Sequence, residues 1–346
     1  MNNLFIEYLN EYRKKCDTLF TDGSIKEFLS TLDTSSNMDK YIDALIRHSD
    51  GGKRIRACLV ALGYSIFKGF DNINNIVFPS LSYELFQTGI LAHDDIIDNS
   101  DYRRFKPSMH KDLGEGHDGI SKSICVGDLG IIAAIEILQN STFDDSIKLR
   151  AITHQNKVFS QTIAGELKDI EFSYAGRAKE SDILSMYRLK TAQYTVSGPL
   201  VLGAILAGAD ENQIKLLSDY GDSVGICFQI RDDILGLFGS EKELGKSILS
   251  DMCEGKKTVL VSHFDSNANE DLKQTFYSVY GKATSAEDGL NLVRRLITDC
   301  GSLKYAEGMC VKYVNDATVI LEKIDINAEG KKLLLDLLEY MTNRKN

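Results

Sequence analysis

Only three prolines, Pro79, Pro107 and Pro199, interrupt a chain of 346 residues. Proline removes a backbone donor and clashes with the preceding helical turn, so its scarcity leaves long stretches free to be helical. Those stretches carry apolar and polar residues at helical spacing, and few alternate as strands do, which predicts an all-α protein. Hydrophobic residues make up 43% of the chain, enough to bury a substantial core in one large domain or two average ones.

The formal charge of −10 and the pI of about 5.2 exclude a broad electrostatic footprint for nucleic acid, so phosphate recognition has to be local. Seven scattered cysteines without paired metal-type spacing fit a reducing compartment and a packing role. Met1 to Arg13 lacks the parts of a signal peptide. The longest strongly apolar segment, Val196 to Ala209, contains Gly198-Pro199 and is too short for a membrane span. A cytoplasmic protein without stable membrane insertion is expected.

Chemistry concentrates in a few places. In Leu91-Ala92-His93-Asp94-Asp95-Ile96-Ile97-Asp98 a helix would put Asp94 and Asp98 one turn and about 40° apart, with Asp95 beside them. Three like charges at the end of an apolar run need cations, and the economical one is Mg²⁺, held by one or two carboxylates plus substrate phosphates. Arg103-Arg104 follow and suit those phosphates. Gln87, seven residues before Asp94, falls nearly on the same helical face. Upstream, Gly51-Gly52-Lys53-Arg54-Ile55-Arg56 joins a flexible backbone to three cations at a helix start, a pattern for an anion site.

The rest of the chain adds a second set. Residues 1 to 48 read as helical pieces around a polar break near Thr31 to Ser36. Phe105 to His117 reads as a loop, and Val126-Gly127-Asp128 opens another apolar helix. Gln161, Glu166 and Asp169 are read as surface groups, and Lys190-Thr191 stands at the mouth of an apolar segment. In Phe228-Gln229-Ile230-Arg231-Asp232-Asp233-Ile234-Leu235-Gly236 an apolar helix again leads into adjacent aspartates. Gly245-Lys246, Asp251 and Glu254-Gly255-Lys256-Lys257-Thr258 follow as a lysine-rich stretch able to return over the same ligand. Two aspartate clusters, each with its own cations, point to a metal-bridged diphosphate site between facing helices.

From Gly51 to Thr258 the order Gly-Gly-Lys-Arg-x-Arg, Gln-x6-Asp-Asp-x-x-Asp-x4-Arg-Arg, Lys-Thr, Phe-Gln-x-x-Asp-Asp, Gly-Lys and Asp-x4-Lys resembles the trans-type prenyl diphosphate synthases, most of all those making geranylgeranyl diphosphate. The resemblance implies a single all-α domain over residues 1–346, a helical bundle of the isoprenoid synthase type around a deep central cavity. It also implies a homodimer and three Mg²⁺ ions per active site. Carried over by position, Asp94, Asp95 and Asp98 bind Mg²⁺ on one wall, and Asp232 does so on the other with Asp233 in support. Arg103, Lys190 and Lys246 hold the allylic diphosphate. Lys53, Arg56, Gln87 and Arg104 hold isopentenyl diphosphate, with Thr191, Gln229 and Lys256 as supporting contacts.

The implied reaction ionises the allylic carbon–oxygen bond, adds the isopentenyl double bond to the carbocation and loses a proton. Three positions depart from the family pattern: Gly236 replaces a third aspartate, Phe105 a common glycine and Glu166 a frequent glutamine. Helical projection puts Gly89, Phe86 and Ser82 on a common side below Asp94, with Gly89 leaving space for the growing tail and Phe86 as the floor, hence a twenty-carbon product. Farnesyl or longer products, a terpene cyclase or head-to-head synthase, and a non-catalytic prenyl-diphosphate-binding subunit are the alternatives. The sequence leaves open whether Arg344 and Lys345 close over the site.

Overall fold

The computed structural model describes residues 3–32, 37–174, 178–240, 248–282 and 287–342. In chain order the helices are α1 (Leu4–Thr21), α2 (Ser24–Thr31), α3 (Asp39–Ser49), α4 (Ile55–Lys68), α5 (Asn74–Ser80) and α6 (Ser82–Ile97). A two-residue-per-strand hairpin follows, β1 (Tyr102–Arg103) with β2 (Lys106–Pro107). Then come α7 (Met109–Asp112), α8 (Gly116–Gln139), α9 (Asp145–Tyr174), α10 (Glu180–Met186), a widened π-helix (Tyr187–Ser197), α11 (Gly198–Ala207) and α12 (Glu211–Phe238). The chain continues through α13 (Ser250–Glu254), α14 (Val259–Asn267), α15 (Glu270–Tyr277), α16 (Glu287–Asp299), α17 (Ser302–Leu321) and α18 (Ala328–Thr342).

The all-α expectation holds, with two local corrections. The segment read as a loop from Phe105 contains β2, α7 and the start of α8, which begins at Gly116, ten residues before the apolar run that was expected to open it. The polar break near Thr31 to Ser36 lies largely outside the described residues, as do Gly245, Lys246, Arg344 and Lys345. Among the described residues no helix is long and apolar enough to cross a membrane.

The chain divides into two compact units, residues 1–156 with 199–214, and residues 157–198 with 215–346. In the first, the Asn3 side chain caps α1 by accepting the Ile6 amide, and α1 buries Phe5, Leu9, Tyr12 and Cys16 along one stripe. Helices α6 and α8 approach closely: a Cβ added at Gly89 would lie 2.5 Å from the Gly127 carbonyl oxygen and 3.0 Å from Ile131 Cγ1. The glycine therefore serves helix packing, and the space expected there for a growing product is filled by α8. In the second unit, Tyr187, Ile226, Ile230, Val259, Leu260, Phe264 and Phe276 belong to one buried cluster that joins the π-helix, α12, α14 and α15.

Arg54 organises the start of α4. It adopts a left-handed conformation with φ of 55°, and its side chain turns inward to 2% exposure. Nε donates to Asp17 Oδ1 at 2.9 Å, Nη1 donates to the Ser49 carbonyl and to Glu84 Oε2 at 3.4 Å, and the guanidinium lies 4.3 Å from the Phe20 ring centroid. Glu84 Oε1 in turn accepts the Ala57 amide at 3.1 Å. Of the three cations expected to form an anion site, Arg54 is thus a buried tie between α1, α3, α4 and α6. Removing one member of such a pair strands a buried charge, so Arg54→Met is expected to cost about 3–5 kcal/mol in denaturant unfolding. Lys53→Met, an exposed neighbour, should leave stability within about 0.5 kcal/mol.

Candidate active site

In the first unit α6 delivers the aspartates and the hairpin folds an arginine onto them. Arg103 Nε donates to Asp95 Oδ1 at 2.8 Å, and its Nη2 lies 3.0 Å from Asp94 Oδ2 and 2.7 Å from Asp95 Oδ1. Burial pushes the Asp95 carboxyl above its ordinary value, and the Arg103 guanidinium opposes that shift. Asp95 is buried, Asp94 half-buried, and Asp98 exposed at the end of the helix. Arg103 thus sits on two of the three aspartates expected to share one face.

The hairpin geometry explains the placement. Tyr102 pairs with Pro107 and Arg103 with Lys106, so Arg104 and Phe105 form the two-residue turn, with φ values of 52° and 63°. Both positive angles suit the right-handed strand twist but strain non-glycine residues. The turn lets the Arg104 Nη1 reach the Asp50 carbonyl at 3.3 Å, beside Gly52, while Phe105 stands 89% exposed. Burial, with the like charges of Arg103, Arg54 and Arg56, pushes the Arg104 guanidinium below its ordinary value. Cations that disfavour one another in this way suit an anionic ligand. A cavity of about 140 Å³ in this unit is lined by Arg103, Arg104, Asp95, Lys106, His48 and Thr88, among others.

That cavity meets α6 at Thr88, Leu91, Ala92 and Asp95, a stripe that excludes Gln87, Gly89 and Phe86. Phe86 is fully buried and Gln87 partly so. Lys53 is exposed and Arg56 half-buried at the start of α4.

In the second unit the π-helix presents Lys190 and Thr191. Lys190 Nζ lies 2.6 Å from Asp169 Oδ2 and 2.7 Å from Glu166 Oε2, both on α9. Burial opposes its charge, but Asp169 and Glu166 outweigh burial and raise its affinity for the proton. These two acids, read from sequence as surface groups, are only partly exposed and position the lysine. Their i, i+3 spacing on one helical face was the available signal. Thr191 Oγ1 donates to Gln229 Oε1 at 2.7 Å, and Gln229 Nε2 donates to Asp233 Oδ1 at 2.9 Å. Lys256 Nζ approaches the same Oδ1 at 3.2 Å, and the Tyr187 hydroxyl donates to Asp233 Oδ2. Burial and the neighbouring Asp251 and Asp232 push the Asp233 carboxyl up, while Lys256 and Tyr187 oppose this. Asp232, beside it on α12, is half-buried. Tyr187 is the member that sequence reasoning passed over; its only signal was its place one turn before Lys190.

The family model for polyprenyl synthetases matches residues 38–297. The chain is 31% identical over 297 residues to a geranylgeranyl diphosphate synthase of Methanosarcina mazei, covering 85% of this chain and 86% of that protein. It is 32% identical over 298 residues to a geranylfarnesyl diphosphate synthase of Aeropyrum pernix, covering 85% and 91%. The fold superposes with a TM-score of 0.87, at 27% identity and full coverage of both chains, on a geranylgeranyl pyrophosphate synthase of Corynebacterium glutamicum solved with isoprenyl diphosphate and magnesium. This chain belongs to the polyprenyl synthetase family.

Proposed function

We propose that the chain is a prenyltransferase that condenses an allylic prenyl diphosphate with isopentenyl diphosphate, head to tail, releasing diphosphate. The observation that carries this reading is that each carboxylate set comes with its own cation, Arg103 on Asp94 and Asp95, and Lys256 on Asp233. The family match runs through segments of both units, which supports treating residues 1–346 as one catalytic domain. Names of the relatives support a twenty-carbon product. A homodimer and a cytoplasmic location accompany this reading.

The donor set fits Mg²⁺. Among the described residues no group of three or more His, Cys, Asp or Glu is placed to hold a metal ion by itself. Mg²⁺ is commonly held by one or two carboxylates, the rest of its octahedron coming from phosphate and water, so Asp94, Asp95, Asp98 and Asp232 suffice as protein ligands. Bound Mg²⁺, three ions in the full reading, supplies Lewis-acid stabilisation of the departing diphosphate. Arg103, released from Asp94 and Asp95, turns to the allylic diphosphate, where Lys190 and Lys246 also bind. Lys53, Arg56, Gln87 and Arg104 hold isopentenyl diphosphate with its double bond against the allylic carbon. Thr191, Gln229 and Lys256 steady that arrangement. Ionisation leaves a carbocation, the double bond adds, and the proton is lost to the released diphosphate. The carbocation calls for apolar, water-poor surroundings, because water would quench it.

Gly236 has a physical reason in this chain. A Cβ there would lie 2.0 Å from Asp251 Oδ2, so the Asp251 carboxylate occupies the space that a side chain at 236 would need. Gly236→Asp should therefore lower stability by about 1–3 kcal/mol in denaturant unfolding, and unaltered stability would contradict the packing.

The reading itself is tested by incubating the protein with Mg²⁺, isopentenyl diphosphate and each allylic diphosphate from dimethylallyl to farnesyl, then measuring chain length. A linear product of twenty carbons is expected; Phe86→Ala is expected to lengthen it, and unchanged length would rule out Phe86 as the floor. Absence of elongation with every primer would refute the synthase reading, and a cyclic hydrocarbon would assign a cyclase.

A further inference from the structure

We infer that Tyr187 is a positioning residue for the condensation, its hydroxyl locking the Lys190 helix, the aspartate pair of α12 and the start of α14 into one arrangement. The inference rests on the prenyl-transfer reading and adds a residue to it. Tyr187 is fully buried, and its oxygen works in both directions. It donates to Asp233 Oδ2 and accepts the Val259 amide at 3.1 Å.

Each partner leads to a functional group. Val259 is the first residue of α14, whose opening amides have no partners within the helix. Thr258 serves Val261 through its side chain, and the Tyr187 oxygen serves Val259. The residue two places before that cap is Lys256, which approaches Asp233 Oδ1. Asp233 adjoins Asp232, and its Oδ1 is also held by Gln229, the partner of Thr191. Tyr187 itself begins the widened helix that carries Lys190 and Thr191, the kind of helical distortion common at functional sites.

A phenylalanine has the same shape and neither hydrogen bond. It would leave the Val259 amide and one Asp233 oxygen without the phenol in a site where water does not enter freely. Loss of a group that orients metal-binding residues generally costs about 10–100-fold in metal affinity or activity. Tyr187→Phe in the full chain is accordingly expected to lower kcat/KM by about 10–100-fold and to raise the Mg²⁺ concentration for half-maximal turnover about tenfold. The KM for isopentenyl diphosphate, whose cations lie in the other unit, should change less than about twofold.

A loss that scales only with the folded fraction, with Mg²⁺ dependence unmoved, would overturn the role, as would unchanged kinetics. A second readout needs no variant and no turnover. Hydrogen exchange in the unsubstituted protein should show the Val259 amide as protected as the interior of α14; exchange at the rate of an open helix start would overturn the link. Elongation by the unsubstituted enzyme, measured alongside, separates failure of this inference from failure of the prenyl-transfer reading.

Discussion

Like charges close together on a partly buried helix face are the constraint that shapes this protein. A carboxylate withdrawn from water is costly unless paired, and a pair of them more so. Each unit meets the constraint with its own cation: Arg103 reaches across from the hairpin to Asp94 and Asp95, and Lys256 reaches Asp233 from two residues before the cap of α14. Lys190 shows the converse, a cation held between Glu166 and Asp169. These pairings place Arg103, Lys190 and Lys256 beside carboxylates in the protein itself. In the proposed reaction these cations would exchange carboxylate for diphosphate, which would reduce the reorganisation left for the chemistry.

The helical class was legible because proline scarcity and periodicity act locally. The aspartate helices were legible for the same reason, since their spacing and the apolar runs before them specify a face. Side-chain direction was not. Arg54 lies between Lys53 and Arg56 in a basic cluster, yet a left-handed backbone turns it into the core, where Asp17 and Glu84 await it. Nothing within six residues announces those partners, 37 and 30 positions away.

Gly89 illustrates a different limit. A missing side chain reads as free volume in one dimension, but helix α8 comes close enough to fill it, and the residue becomes a point of contact. Glu166, Asp169 and Tyr187 are legible only once the π-helix, α9, α12 and α14 are placed, because their partners lie 21 to 72 residues away in sequence, too far for spacing to reveal.

The central claim is that these carboxylates recognise diphosphate through Mg²⁺, with the arginine and lysine partners transferring to phosphate. Equilibrium binding of a non-ionising allylic thiodiphosphate, with and without Mg²⁺, tests it most directly. The account predicts at least about tenfold tighter binding with Mg²⁺ in the unsubstituted protein and no such gain in Asp94→Ala. Binding equally tight without the metal, or a full Mg²⁺ gain in Asp94→Ala, would contradict it.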